Sequence, residues 1–286
     1  MISKVIQNIL KSRKYKALYP PTVERVVGEC LKRYGVARTE EEARTVLHQI
    51  WGSYYGVRPD FKKLWKNFEA EIAAGRREEA IDMVLRLHSS SAERLPIFDE
   101  FYKKIFAITG MPKFIVDHGC CLDPVAYSRM LAAVAPVVPA PSVIPKPRDL
   151  QQAGPSLIRY QAFDIDVEEV EFLKKACQLL GYGEAVKVAA GDAISDEPVP
   201  ADVVFMLKLL PVLEQQKKGA AKEVLMKQRC KWIVVSCPVA SLSGKEKGMT
   251  EFYTKQFNEL TAGLDWKIKR LLFSTELVFV CQVADV

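Results

Sequence analysis

From Met111 onward, short β-rich runs alternate with helical patterns, and this alternation limits the fold more than any other feature of the chain. The β-rich runs are 113–117 (KFIVD), 157–164 (LIRYQAFD), 185–190 (AVKVAA), 203–207 (VVFML), 232–236 (WIVVS) and 275–283 (TELVFVCQV). Helical periodicity occupies about 167–180, 213–229 and 249–262. Strands that alternate with helices predict a mainly parallel sheet covered on both faces, an α/β fold. The pattern fails between about 133 and 156, which holds six of the chain's 16 prolines. That stretch reads as an extended surface insertion after the first strand–turn–helix.

The first 108 residues have a different texture and read as helices. Thr22 is placed to cap a segment reaching about residue 34, with Val23, Val26, Val27, Cys30 and Leu31 at helical spacing. Thr39 with Glu42 has the form of a capping box before a run to about residue 55. Asp60 is placed to cap a helix carrying Phe61, Leu64, Trp65, Phe68 and Ile72, and two more helices follow at about 77–88 and 97–108. The expected organisation is a helical unit, 1–108, followed by an α/β unit, 109–286.

Charge separates the same two regions. The net charge is +6, and residues 1–110 supply all of it, with 20 Lys and Arg against 14 Asp and Glu. Lys11, Arg13, Lys14 and Lys16 cluster near the front, interleaved with Tyr15 and Tyr19. Such a cluster is the footprint of a surface that meets phosphates. No run approaches the ~20 apolar residues that span a bilayer, and the N-terminal stretch lacks the cleavage site of a signal peptide. A cytoplasmic protein with no membrane partner is expected. The seven cysteines form no CxxC pair, and with three histidines in the chain no metal site is expected.

Acids stand at three successive strand ends. The first β-rich run leads into Asp117-His118-Gly119-Cys120-Cys121-Leu122-Asp123-Pro124, the second ends at Asp164, and Asp192 follows the third. In a doubly wound sheet, ligands bind beyond these ends, where the first turn must bring backbone close to the ligand. A carboxylate at the second strand end can accept hydrogen bonds from ribose hydroxyls, and one after the third can face an adenine amino group. The single glycine of the turn argues against a nicotinamide dinucleotide, whose pyrophosphate needs a glycine trio. A nucleoside-binding α/β unit behind a basic helical unit points to S-adenosylmethionine and an RNA target.

The motifs resemble a known family, the aminoglycoside-resistance 16S rRNA (guanine-N7) methyltransferases of the Arm/Rmt/Kgm type. The resemblance runs through ILKSRKYKALYPPTVERV (9–26), EARTVLHQIWGSY (42–54), HSSSAERL (88–95), DHGCCLDP (117–124), DVVFMLKLLPVLE (202–214), VVSCPVASLSGKEKGMTEFY (234–253) and STELVFV (274–280). It implies a Rossmann-like class I methyltransferase domain preceded by an all-helical domain that docks on RNA. It also implies S-adenosylmethionine as cofactor, 16S rRNA within the 30S subunit as partner, and a monomer. Carried across, Asp117 and Gly119 belong to the turn on the methionine side, Asp164 to the ribose, Asp192 to the adenine, and Arg94 to the cofactor carboxylate. Lys208 and Met249 position the reacting groups, and no catalytic base is needed. Lys11, Arg13, Lys14, Lys16, His48, Ser241, Lys245, Lys247 and Met249 contact RNA, with the stretch from Ser241 to Met249 as a cationic flap; His88 matches a second histidine of the family runs.

The sequence departs from the family at the first turn, close to D-x-A-C-G-L-N-P, where Cys121 replaces a glycine and Asp123 an asparagine. A Cβ near the cofactor and an added carboxylate near its methionine carboxylate both oppose binding. A divergent active enzyme and a non-catalytic ribosome- or RNA-binding homologue with a weakened cofactor site are therefore the two readings to separate.

Overall fold

The computed structural model describes residues 2–52, 54–55, 57–134, 158–239 and 248–283. Most of the proline-rich stretch, and Ser241, Lys245 and Lys247, lie outside these residues.

Seven helices come first: α1 (Ile2–Lys11), α2 (Pro20–Tyr34), α3 (Thr39–Leu47), α4 (Phe61–Ala73), α5 (Arg77–Leu85), α6 (Ser89–Arg94) and α7 (Phe98–Thr109). A π-helical turn, His48–Gly52, continues α3. Asp60 caps α4 as expected, accepting from the backbone N–H groups of Lys62 and Lys63 at 2.9 and 3.2 Å. The other two predicted caps differ. Helix α2 begins at Pro20, whose fixed φ and missing N–H suit a first turn, and this leaves Thr22 buried inside the helix. The Thr39 hydroxyl donates to Gly35 O at 2.7 Å, and Glu42 pairs with Arg38, so no capping box forms.

The remaining elements are β1 (Phe114–His118), α8 (Tyr127–Val134), β2 (Arg159–Asp164), α9 (Val167–Leu179), β3 (Val186–Ala190), β4 (Ala201–Leu207), α10 (Leu210–Gln216), α11 (Ala220–Lys227), β5 (Cys230–Pro238), α12 (Met249–Leu260), β6 (Lys267–Leu272) and β7 (Glu276–Gln282). The single helix expected over 213–229 is thus two, α10 and α11. The strand order is β3-β2-β1-β4-β5-β7-β6. Strands β1 to β5 run parallel, and β7 pairs antiparallel with both β5 and β6. The order reverses between β1 and β4, which makes the carboxyl ends of these strands the ligand crevice of the sheet.

Period-2 alternation sends successive side chains to opposite faces. Ile115, Val203, Phe205 and Val234 face one core with Phe68, Ile81 and Phe101 of α4, α5 and α7. Val116, Val204, Ile233 and Val235 face the other with Leu213, Val224 and Phe257 of α10 to α12. A third core joins α1, α2, α3 and the π-helical turn through Ile9, Val23, Val26, Leu47 and Trp51, and reaches Val212 of α10. The first 108 residues therefore contribute to two cores. Residues 9–51 build their own, whereas the Phe61, Leu64 and Phe68 stripe joins the core of the sheet by packing α4 against α9, where Phe61 and Phe68 meet Phe172.

Candidate active site

A pocket opens at the carboxyl ends of β1 to β4. Its floor comes from the sheet turns, with Gly119, Cys121, Asp164, Gly191, Asp192 and Lys208, and its roof from the helical segment, with Ile50, Trp51, Tyr54, Tyr55 and His88. The enclosed volume is about 90 Å³.

The turn after β1 is bound tightly to β2. The N–H groups of Gly119 and Cys120 donate to Phe163 O at 2.9 and 3.1 Å. Gly119 has φ +67°, and a Cβ there would sit 3.0 Å from Leu209 Cδ1, so glycine suits both the backbone and the space. Cys121 adopts φ +48° without that freedom. Its N–H donates to Asp164 Oδ2 at 3.2 Å, and Asp166 N–H donates to Oδ1 at 3.1 Å. The Asp164 carboxylate is thereby aimed by backbone dipoles. Burial pushes its pKa up to about 6, which leaves it largely ionised at neutral pH.

Roof and floor are stitched by polar bonds. Arg25 of α2 donates from Nε and Nη2 to Asp192 Oδ2 at 2.9 and 2.6 Å. Trp51 Nε1 donates to Asp166 Oδ2 at 2.8 Å, and the Tyr55 hydroxyl donates to Glu169. His88 lies parallel to Tyr54, with ring centroids 5.6 Å apart, and meets Tyr55 edge-on at 5.0 Å. Burial, aided by the nearby Lys208 charge, lowers its pKa to about 3, so the imidazole is neutral. His88 Nδ1 and Glu169 Oε1 are buried without a protein partner, as polar atoms that a ligand can satisfy.

Of the five expected cofactor residues, Gly119, Asp164 and Asp192 line the pocket. Arg94 and Asp117 lie behind it. The Arg94 guanidinium is fully buried; it pairs with Asp123 and lies 3.0 Å from Glu276 Oε1. Asp123, the acid that replaces an asparagine, is thus neutralised within the fold. Asp117 accepts from the Tyr160 hydroxyl, and burial pushes its pKa up to about 8. Lys208 lines the pocket with φ +58°; its Nζ pairs with Glu93 and lies 3.5 Å from Glu276 Oε1.

The expected RNA contacts gather elsewhere. Arg13, Lys14, Lys16 and His48 line a second cleft, beside Trp51, Tyr55 and Arg58, while Lys11 ends α1. Met249 is not on a loop: it opens α12 behind Gly248, whose φ of +83° turns the chain into the helix. Tyr15 is buried, tilts 6.1 Å from Trp51 and donates its hydroxyl to Arg44 O at 2.9 Å, which makes it packing. Sequence reasoning missed Arg25, Trp51, Tyr54, Tyr55, Glu169 and Arg58. The aromatics follow one another where the α3 periodicity breaks, and that break was the available signal. Among the described residues, no three His, Cys, Asp or Glu side chains converge as for a metal ion, and no helix is long and apolar enough to cross a membrane.

The family model described as "Ribosomal RNA methyltransferase (FmrO)" matches residues 11–144 and 150–280. A Proteus mirabilis protein named 16S rRNA (guanine(1405)-N(7))-methyltransferase is 32% identical, with 98% of this chain and 96% of that protein covered. One of the same name from Frankia casuarinae is 31% identical, covering 98% and 93%. The crystal structure of the 16S rRNA methyltransferase RmtF in complex with S-adenosyl-L-homocysteine superimposes with a TM-score of 0.74 at 27% identity, covering 99% of this chain and 98% of that one. The 16S rRNA methylase RmtB gives 0.71 at 26%, again covering 99% and 98%.

Proposed function

The chain belongs to the ribosomal RNA methyltransferase (FmrO) family, and on that premise we propose that it methylates N7 of a decoding-site guanine in 16S rRNA, using S-adenosylmethionine. The assembled 30S subunit is the proposed substrate, a single copy of the chain in the cytoplasm the proposed active form, and aminoglycoside resistance the outcome. The observation that carries the reading is Asp164, held by two backbone N–H groups at the mouth of a glycine turn.

The pocket chemistry fits an adenosyl group. Asp164 keeps lone pairs to accept ribose hydroxyls. Asp192 Oδ1 accepts one bond, from Ile194 N–H at 2.9 Å, and retains acceptor capacity for an amino group. Bound there, S-adenosylmethionine would supply its sulfonium methyl to the unprotonated N7 lone pair of guanine, with the thioether S-adenosylhomocysteine as leaving group and no general base needed. The protein's part is position. Lys208 is the only cation among the described residues of the pocket wall, and it offers a charge to the carboxylate or to the base. Trp51, Tyr54 and Tyr55 roof the pocket with aromatic rings that would shield a bound cofactor from water. Phosphate contacts from the basic cleft supply affinity with little reading of base sequence.

Two measurements test this reading. Calorimetry should show micromolar S-adenosylmethionine binding that Asp164→Ala removes. Labelled methyl should enter intact 30S subunits and map to guanine N7. Absence of cofactor heat in a protein that still binds subunits would leave the RNA-binding homologue; a methylated adenine would overturn the specificity.

A further inference from the structure

The basic cleft lies across Trp51 and Tyr55 from the pocket and encloses about 430 Å³. Its chemistry centres on one acid. Arg58 is anchored from below by Asp166, with Nη2 2.9 Å from both carboxylate oxygens. Its other arm, Nη1, donates to Glu168 Oε2 at 2.8 Å. Glu168 Oε1 lies 3.7 Å from Lys16 Nζ. One carboxylate therefore spans two cations that come from distant parts of the chain.

The two acids that hold Arg58 differ in burial. The Asp166 side chain is 1% exposed, whereas those of Glu168 and Lys16 are 41% and 59% exposed. Exposed ion pairs contribute little, so Glu168 is readily displaced. Asp166 keeps the guanidinium in place when Glu168 leaves. A guanidinium fork beside an ammonium is the arrangement that receives a phosphate. Arg13 and Lys14 add positive field around it.

We propose that Lys16 and Arg58 form a binding subsite for a phosphodiester of the RNA backbone, and that the Glu168 carboxylate occupies it until the phosphate takes its place. The proposal rests on the RNA-substrate reading above. It adds two residues, Arg58 and Glu168, and predicts that removing an acid improves binding.

The test titrates labelled protein with 30S subunits between 50 and 200 mM KCl. Glu168→Gln should tighten binding about threefold at the lowest salt, the size of an exposed pair. Lys16→Gln should weaken it and lower the salt slope by about one. In the Lys16→Gln background the gain from Glu168→Gln should shrink, and in an Arg58→Gln background it should vanish. Lys16 is exposed, so its arm stands even where loss of Arg58 from buried Asp166 impairs folding. Glu171→Gln, which removes an exposed acid of the same helix paired with Lys174, controls for net charge. If Glu168→Gln and Glu171→Gln act alike, or Glu168→Gln weakens binding, the subsite is wrong although the RNA reading stands. If the wild-type protein neither binds nor methylates subunits, the RNA reading itself fails.

Discussion

The two cavities that share Trp51 and Tyr55 are built by opposite rules. Around the pocket, charge is buried and paired inside the protein: Arg94 with Asp123 and Glu276, and Lys208 with Glu93 and Glu276. Around the cleft, Arg13, Lys14 and Lys16 are exposed, and Arg58 is the exception, held by buried Asp166. Buried ions are costly to desolvate and cannot lose one partner alone, whereas exposed ones are screened and individually weak. Changes near the pocket should therefore register as stability, and changes near the cleft as affinity for a polyanion.

The contrast can be broken most directly at Arg94. Arg94→Ala leaves Asp123 and Glu276 buried without their counter-ion, and chemical denaturation should show a loss of about 3–5 kcal/mol. A loss under about 1 kcal/mol would mean that the pocket charges are not structurally coupled. Next comes Asp117, whose carboxyl is raised to about 8 by burial. Its unfolded value is ~4. The folded protein therefore holds this proton where the unfolded chain has released it. Its contribution to stability is full below pH ~4 and is lost as pH rises through about 8. Asp117→Asn should flatten the decline in unfolding free energy across that interval; an unchanged profile would place the titration elsewhere.

Cys121→Gly probes a smaller effect. A non-glycine residue at positive φ costs ~1–2 kcal/mol, partly offset by the ~0.5–1 kcal/mol entropic cost of glycine. Urea denaturation should show a gain of up to about 1 kcal/mol, with cofactor affinity equal or better. The smallest stability effect is expected at the cleft. Lys14→Ala should leave unfolding within about 0.5 kcal/mol of wild type while lowering the salt slope of subunit binding.

What could be read from the sequence was what is local. The Asp60 cap needs only its own helix, and β1, β4 and β5 announce themselves as apolar runs because these parallel strands are buried on both faces. Strand β6 was invisible because it lies at the sheet edge: Lys267, Ile268, Lys269 and Arg270 are all exposed, and no period survives. The helix expected over 213–229 breaks where Lys217 turns extended, at φ −153°, and Gly219 follows at φ +83°. Asp164 was legible from its place at a strand end. The partners of Arg94 were not, because Asp123 and Glu276 are brought to it only by tertiary folding. The roof was missed for a related reason: Trp51 and Tyr55 are buried, and only Asp166 and Glu169, brought to them by folding, give them a second use.

The Glu276 clamp has a further consequence. It gathers Arg94 and Lys208 around a residue at the start of β7, and its bond to Arg94 joins positions 182 apart in sequence. Contacts of such range close late, after the intervening chain has lost its freedom. Ligand affinity should then emerge at the end of refolding, well behind the gain of helix and sheet signals, and a protein caught midway would carry its secondary structure without a working cavity.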